Sequence, residues 1–257
     1  EGGGLPRGSL IVAAVVDEEY TSLGAEALVE AFRADAAVVT EPTDLDVAVA
    51  HKGFQWIEIE TRGQAAHGSR PGDGRDAILR MGRVLSRLES LGRRLQTRPA
   101  HPLLGTASLH ASIINGGVEM SSYPDRCRLQ MERRTLPGES SWVGLEEVEA
   151  ILERLRNDDW EFGSEARLMS GREPYEIDRE HVLPTSLVRA AMSVGCEPRR
   201  VGMTYWSDAS ILGAAGIPSV LFGPGGGGLH SPEEYVWLKD VCLCRDTLVA
   251  LARDFLR

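Results

Sequence analysis

Three consecutive carboxylates, Asp17, Glu18 and Glu19, follow directly after the apolar run Leu10–Val16. A run of this length, rich in β-branched residues, is typical of a strand that is buried on both faces of a parallel sheet. In open α/β sheets the ligand lies beyond the carboxyl ends of the strands, so these side chains would lie where chemistry is done. Alternatively, they are solvated residues before a helix that begins near Ser22, because the first turn of a helix favours negative charge.

Two further polar residues follow predicted strands. Glu41 comes after the apolar run 36–40, and Pro42 prevents that strand from continuing. His230 lies in a glycine-rich loop after the predicted buried strand 217–222. This loop lacks the Lys-Ser/Thr pair and the following helix of a phosphate-binding loop, which argues against phosphate binding. Taken alone, a histidine near such a turn is more often a hydrogen-bonded loop residue than a ligand.

The strand ends together offer Glu18, Glu19, Glu41 and His230. Carboxylate oxygens combined with an imidazole suit a divalent cation, most naturally zinc. A neighbouring carboxylate can act as general base for a metal-bound water, as metal-assisted hydrolysis requires. The pattern therefore predicts a metal-dependent hydrolytic site at one edge of a sheet.

The elements that would position these residues fall into two patterns. Residues 1–47 have the pattern of one βαβ unit, and an α/β pattern returns after Tyr175 with helices over about 184–194 and 238–255. Between them, strands alternate with period two, which indicates an antiparallel sheet with one face in water. Its elements are strands at 54–61, 108–114, 127–132 and 165–169 and helices at 76–91 and 145–156, a ferredoxin-like β-α-β-β-α-β order.

The predicted fold class is therefore α/β, a sheet with helices on both faces that is interrupted by an α+β ferredoxin-like domain. We place the α/β domain at 1–51 and 171–257 and the inserted domain at 52–170. Because the chain starts so close to a buried strand, we expect its true N-terminus to lie further upstream.

Composition excludes several classes of partner. The net charge of −10 argues against nucleic acid or an anionic membrane as the main partner, because both attract a basic surface. No apolar run is long enough to cross a bilayer. The four cysteines form no disulfide framework and are expected to be reduced core thiols, which is typical of a cytoplasmic protein.

Six ordered motifs resemble the di-zinc family of aminoacylases, acetylornithine deacetylases, succinyl-diaminopimelate desuccinylases and glutamate carboxypeptidases. The motifs span nearly the whole chain: Asp17-Glu18-Glu19 with Gly24-Ala25, Glu41-Pro42-Thr43, Gly63 to Pro71 around His67, Gly116-Gly117 to Pro124, Arg134 to Gly138, and Gly223 to Tyr235 around His230. The resemblance implies a zinc-exopeptidase-like fold whose inserted domain is a lid and forms a homodimer. It also implies two zinc ions per active site, or cobalt or manganese in their place, and an N-acyl amino acid or small peptide as substrate.

The resemblance also implies a role for individual residues. Glu18 corresponds to the general base, and Glu19, Glu41 and His230 correspond to metal ligands. His67 resembles the histidine that the family provides across a dimer interface to polarise the substrate carbonyl or stabilise the oxyanion. Arg134 resembles the residue that binds the substrate carboxylate, a task that suits a bidentate guanidinium. Without the resemblance, His67 is a turn residue near Pro71 and Arg134 an exposed strand residue beside Arg133.

Two departures from the family pattern leave alternatives open. Ser121 stands where the family usually has an asparagine that contacts the substrate or oxyanion. The family's first ligand, in a His-x-Asp motif, and its metal-bridging aspartate precede the Asp-Glu-Glu strand, so we expect a chain truncated at its N-terminus. The leading hypothesis is a zinc amidohydrolase that deacylates an N-acyl amino acid or cleaves a small peptide. The alternatives are a non-catalytic fragment or degenerate homologue, and a peptide-processing aminopeptidase of the same fold.

Overall fold

The computed structural model describes residues 8–256, which form two compact units. The first unit contains the chain up to His51 and from Pro174 onwards, and the second unit is Lys52–Glu173. The inserted domain was predicted to end at residue 170, three residues before the second unit ends. Residues 1–7 of the predicted first domain, and the expected upstream N-terminus, lie outside the described residues.

The elements follow one another in the order α1, β1–β3, α2, β4, β5, α3, β6, β7, α4, β8, α5, β9–β11 and α6. The helices are α1 Leu23–Ala31, α2 Ala77–Thr97, α3 Val143–Asp158, α4 Val182–Ser193, α5 Ala209–Ala214 and α6 Leu238–Phe255. The strands are β1 Ala37–Val39, β2 Val47–His51, β3 Gly53–Arg62, β4 Ser108–Gly116, β5 Arg126–Thr135, β6 Gly163–Arg172, β7 Tyr175–Glu176, β8 Arg200–Met203, β9 Ser219–Leu221, β10 Gly226–Gly227 and β11 Tyr235–Val236.

The first unit is built on a five-stranded sheet around β2, a strand that is buried along its whole length. β2 runs parallel to β8 and antiparallel to β7 and β9, and β9 runs parallel to β1. Helices α4 and α6 pack against each other, as do α1 and α5, while α4 and α5 also contact the strands. The chain therefore forms the predicted α/β sheet with helices, and α4 and α6 begin and end within two residues of their predicted bounds.

The predicted buried strand over Leu10–Val16 is wrong. This segment has irregular backbone, and its large apolar side chains are exposed, from 39% for Val15 to 88% for Val12. A strand needs a neighbour for its backbone N–H and C=O groups, and within residues 8–256 no strand pairs with this segment. An apolar pattern shows that burial would be favourable, but it does not supply the neighbour. The predicted βαβ unit over residues 1–47 is therefore also absent from the described chain.

The second unit confirms the ferredoxin-like prediction. Its antiparallel sheet has the strand order β4-β5-β3-β6, and β3 pairs along its full length with β5, from Gly53 opposite Thr135 to Arg62 opposite Arg126. Helices α2 and α3 pack against this sheet and against each other. Alternate residues of β3, such as Ile57 and Ile59, are fully buried, as the period-two pattern predicted.

Helix α2 has clear start and stop signals. The Asp76 carboxylate caps its first turn by accepting a hydrogen bond from the Leu79 N–H at 2.9 Å. The helix extends six residues beyond the predicted end because Leu95 continues its buried stripe, and Pro99 prevents it from extending much further. None of the helices within residues 8–256 is long and apolar enough to cross a membrane.

The carboxyl ends of β1 and β9 are held together by Thr43, which is 2% exposed. Its hydroxyl donates a hydrogen bond to the Asp46 carbonyl at 2.7 Å and accepts one from the Gly223 N–H at 3.0 Å. A Cβ on Gly223 would lie only 2.1 Å from the Glu41 carbonyl oxygen, so this close approach of two backbones requires glycine. The loop that contains Glu41 is thereby fixed to the strand end beside it.

We expect Thr43→Val to destabilise the protein by roughly 1–3 kcal/mol, because it leaves the buried Gly223 N–H without its acceptor. Urea unfolding, followed by tryptophan fluorescence, measures the effect. The matched control is Thr40→Val, at an exposed position of the same loop. Equal unfolding midpoints for the two variants would show that the Thr43 hydroxyl does not hold the loop.

Candidate active site

Glu18 and Glu19 lie in a turn rather than at the end of a strand. The Asp17 carbonyl accepts hydrogen bonds from the N–H groups of Thr21 and Ser22, at 3.1 and 2.6 Å. The Asp17 side chain accepts a further bond from the Thr21 hydroxyl. The turn folds back on the start of α1, where a Cβ on Gly24 would lie 2.4 Å from the Val16 nitrogen. Local hydrogen bonding, and not a sheet edge, therefore sets the position of these two carboxylates.

Glu41 follows β1 as predicted, and the structure surrounds it with residues that the sequence analysis missed. Ser207 donates a hydrogen bond to the Glu41 carboxylate. Asp208, which is 4% exposed, lies close enough for its charge to act on both Glu41 and Glu18. Both residues follow the short strand β8, so the rule that placed Glu41 at a strand end could have found them if β8 had been predicted.

The cluster raises the pKa of its own carboxyl groups. Burial, and then the negative charges of Glu41, Asp208 and Glu19, raise the pKa of Glu18 from 4.5 to about 7. Burial also raises the pKa of Glu41, against the hydrogen bond from Ser207, which lowers it. Like charges that share a site disfavour ionisation of one another. Glu18 can therefore both accept and release a proton near neutral pH.

His230 is placed next to this cluster by the hairpin of β10 and β11. Its Nε2 atom lies 3.5 Å from Oε2 of Glu19, and both side chains are about three-quarters exposed, at 76% and 77%. The backbone at His230 is in the left-handed region, with φ of 59°, which is uncommon for a residue other than glycine. The structure thus brings four predicted site residues to one side of the first unit: Glu18, Glu19, Glu41 and His230.

The chemistry of these donors fits a divalent cation, because an imidazole and a carboxylate are adjacent and further negative charge lies nearby. Within residues 8–256, however, no three His, Cys, Asp or Glu side chains converge closely enough to hold an ion. Glu19 and His230 are the adjacent pair, while Glu41 completes no three-donor group with them. The assignment of these three residues as metal ligands stays a prediction.

In the second unit, the structure brings His67 and Ser121 together. The segment around His67 pairs with Ser122, and the Gly68 N–H donates to the Ser121 carbonyl at 2.7 Å. Nδ1 of His67 accepts a hydrogen bond from the Ser69 N–H at 3.2 Å. That bond favours the tautomer with its proton on Nε2, on a side chain that is exposed.

Arg134 lies near the other end of the same sheet. It pairs with Phe54 near the start of β3, whereas Arg126, which follows the Ser121 loop, pairs with Arg62 at the end of β3. Eight residues of β5 separate Arg126 from Arg134, which corresponds to roughly 27 Å at about 3.4 Å per residue. His67, whose segment pairs with Ser122, therefore lies toward the end of the sheet opposite Arg134.

The first unit is thus an α/β sheet with a cluster of carboxylates, and the second unit is a ferredoxin-like domain with an exposed histidine and an arginine. Residues 49–159 match the family model described as a peptidase dimerisation domain. The chain is similar to acetylornithine deacetylase of Myxococcus xanthus, with 30% identity over 97% of this chain and 66% of the relative. The corresponding enzyme of Pectobacterium carotovorum is 29% identical over 96% of this chain and 64% of the relative. The chain thus spans about two thirds or less of the length of these curated relatives.

Solved structures give the same fold. An aminopeptidase PepT from Bacillus cereus matches with a TM-score of 0.79 at 18% identity, over 95% of this chain and 63% of that one. A tripeptidase from Staphylococcus aureus matches with a TM-score of 0.74 at 20% identity, over 91% and 61% of the two chains. Together with the match to the peptidase dimerisation domain and the 30% identity to the Myxococcus deacetylase, this shows that the chain belongs to the M20 peptidase family.

The raised pKa of Glu18 makes stability depend on pH. This pKa is about 7 in the folded protein, against 4.5 for an unperturbed glutamate as in the unfolded chain. Protonated Glu18 therefore contributes stability that is fully present below pH 4.5 and is lost as pH rises through 7. In metal-free protein, we expect Glu18→Gln to raise the melting temperature at pH 8 by about 1–3 °C and to leave it unchanged at pH 4. Thermal unfolding in chelator measures this difference. Glu30→Gln, at an exposed position of α1, is the control, and an equal shift at both pH values would contradict the account.

Proposed function

We propose that the protein hydrolyses an amide bond with the help of bound metal, removing the acyl group from an N-acyl amino acid or cleaving a small peptide. The observation that carries this proposal is Glu18, a half-buried carboxyl with a pKa of about 7 beside Glu19, Glu41 and Asp208. A general base works best when its pKa lies near the operating pH. The deacetylases and peptidases that resemble this chain support the amide bond as the target.

The chemical step is assigned to the first unit. When bound, zinc, or cobalt or manganese in its place, supplies Lewis acidity toward the amide carbonyl and lowers the pKa of water. Glu19, Glu41 and His230 are the residues of this chain that would hold it. Glu18 takes the proton from the attacking water and returns it to the amine that leaves. Ser207 fixes the orientation of Glu41 through its hydrogen bond.

Recognition of the substrate is assigned to the second unit. Arg134 binds the substrate carboxylate, and the exposed Nε2–H of His67 donates to the carbonyl oxygen or to the oxyanion that forms from it. Ser121, whose backbone holds the His67 segment, contacts the same part of the substrate. Because roughly 27 Å of strand separates Arg134 from the His67 end of the sheet, His67 acts on a substrate held by Arg134 of another subunit. The match to a peptidase dimerisation domain supports a homodimer.

We expect Glu18→Gln to keep its metal and to lose turnover by at least about 100-fold, because the amide cannot accept the water proton. Metal content after zinc loading and dialysis, and hydrolysis of an N-acetyl amino acid, are measured on the same samples. Glu30→Gln is again the control. Wild-type turnover in metal-loaded Glu18→Gln would contradict the role of Glu18 as general base.

The proposed use of His67 between subunits predicts complementation. Glu18→Gln and His67→Ala should each be inactive as homodimers, but half of the dimers in a randomised mixture are heterodimers with one complete site. About a quarter of wild-type activity should therefore return. A mixture of Glu18→Gln with His230→Ala is the negative control, because both residues lie in the first unit and no subunit of that heterodimer has a complete first unit. No recovery with His67→Ala would overturn the assignment of His67 to a partner subunit.

A second candidate is that this chain on its own is a non-catalytic fragment or a degenerate homologue. The observation in its favour is that no three-donor group forms within residues 8–256. Metal content of the chain after zinc loading distinguishes the two proposals. About two ions per chain, as expected of co-catalytic sites, would support the enzyme, and none would support the non-catalytic homologue.

A further inference from the structure

Glu132 lies at the centre of a small group of side chains on β3 and β5. Its Oε1 atom accepts a hydrogen bond from Nε of Arg134 at 2.7 Å, and its Oε2 atom accepts one from the Trp56 indole N–H at 2.9 Å. The Glu132 side chain is only 11% exposed, while that of Arg134 is 31% exposed. Each carboxylate oxygen thus has one donor, and the carboxylate cannot rotate without losing both bonds.

This arrangement leaves one edge of the Arg134 guanidinium available. The bond to Glu132 uses Nε, and the guanidinium carbon lies 5.6 Å from the centre of the Phe54 ring. Within residues 8–256, neither terminal amino group of Arg134 donates a hydrogen bond. Those two groups form the parallel pair of donors that binds a carboxylate in bidentate fashion.

The pair of Glu58 and Arg167 on the same sheet has a different geometry. Glu58 accepts hydrogen bonds from both Nε and a terminal amino group of Arg167, at 3.0 and 2.8 Å. One terminal amino group of Arg167 is therefore already engaged, because it binds the same Glu58 oxygen as Nε does, and the Arg167 side chain is 69% exposed. Glu58, at 12% exposed, is as sheltered as Glu132 but leaves its arginine no free pair of donors.

The surroundings of Arg134 favour an added negative charge. Lys52 is 8% exposed as a residue, and burial together with the nearby charges of Arg134 and Arg133 lowers its pKa. Arg133 is neutralised by ion pairs with Glu139 and Glu147, at 2.7 and 3.0 Å. Lys52 and Arg134 thus add positive charge at the place where the open guanidinium edge lies.

We propose that Glu132 is a positioning residue, which holds the Arg134 guanidinium with its terminal edge ready for a substrate carboxylate and is itself fixed by the Trp56 indole. This inference rests on the proposed function, in which Arg134 binds that carboxylate. It assigns specificity for a free carboxylate to three residues, where the family resemblance indicated only Arg134.

The test compares two substrates in the metal-loaded protein: an N-acetyl amino acid, and the methyl ester of the same compound, which lacks the negative charge. For the free acid, Glu132→Ala and Arg134→Ala should each raise KM about tenfold and change kcat less than about twofold, because binding is lost and chemistry is retained. For the ester, KM should be the same in both variants and in the wild type. Glu132→Gln should fall between, because its amide oxygen still accepts from Arg134. Glu58→Ala is the matched control and should leave KM and kcat unchanged for both substrates.

The outcomes separate this inference from the proposed function. If Arg134→Ala raises KM for the free acid and Glu132→Ala behaves like Glu58→Ala, the positioning role is wrong and the proposed function stands. A lower KM in Glu132→Ala would also overturn it, since Glu132 would then only compete with the substrate.

If the wild type hydrolyses neither substrate, calorimetric binding of the N-acetyl amino acid replaces KM. Weaker binding in Glu132→Ala and Arg134→Ala, but not in Glu58→Ala, would support the positioning role while contradicting the proposed reaction. Wild-type protein that does not bind the free acid, or Glu132→Ala that binds it equally well, would overturn the positioning role.

Discussion

The crowding of carboxylates is the constraint that shapes the candidate site of the first unit. Glu18, Glu41 and Asp208 are sheltered from water and lie within range of one another's charge, with Glu19 nearby. Such a cluster is unfavourable unless protons or a cation neutralise it. The structure nevertheless holds it in place, and it does so with local bonds that do not depend on a ligand. We infer that the unfavourable charge is retained because the site uses it, to hold a cation and to move a proton.

Two close approaches of the backbone make this crowding achievable. At Gly24, the turn that carries Glu18 and Glu19 folds against the start of α1, and at Gly223 the end of β9 contacts the Glu41 carbonyl. The Thr43 hydroxyl then joins the two strand ends. The second unit shows the opposite arrangement, because a ten-residue strand keeps His67 far from Arg134. The first unit thus brings charged side chains close together, whereas the sheet of the second unit holds His67 and Arg134 apart.

The sequence predicted the second unit well because its signals are local. Period-two alternation and amphipathic helices gave every element of the ferredoxin-like order. The largest error is at the end of α2, which was placed six residues too early, while the ends of β5 and β6 were each placed three residues too early. The strand over Leu10–Val16 was wrong because burial depends on a neighbour that no local pattern reports. The central strand β2 was missed because Val47–His51 is short and two of its five residues are alanine, which gives a weak strand signal.

The residues of the candidate site also fall into those that the sequence revealed and those that it did not. Glu41 and His230 were found because each follows a predicted strand that the structure contains. Glu18 and Glu19 were found from the apolar run before them, although that run does not form the predicted strand. Ser207 and Asp208 were missed, since a serine and an aspartate after a four-residue strand have no pattern of their own. Which charges lie near Glu18 is a property of the tertiary structure, so its pKa could not be predicted from the sequence.

The central claim is that burial and the neighbouring carboxylates set the proton affinity of Glu18. Its carboxyl carbon can be followed by NMR as pH is varied, first in chelator and then with zinc. We predict a midpoint near pH 7 without metal and a lower midpoint with zinc, because a nearby cation favours the ionised form. A midpoint near 4.5 that zinc does not change would contradict the account.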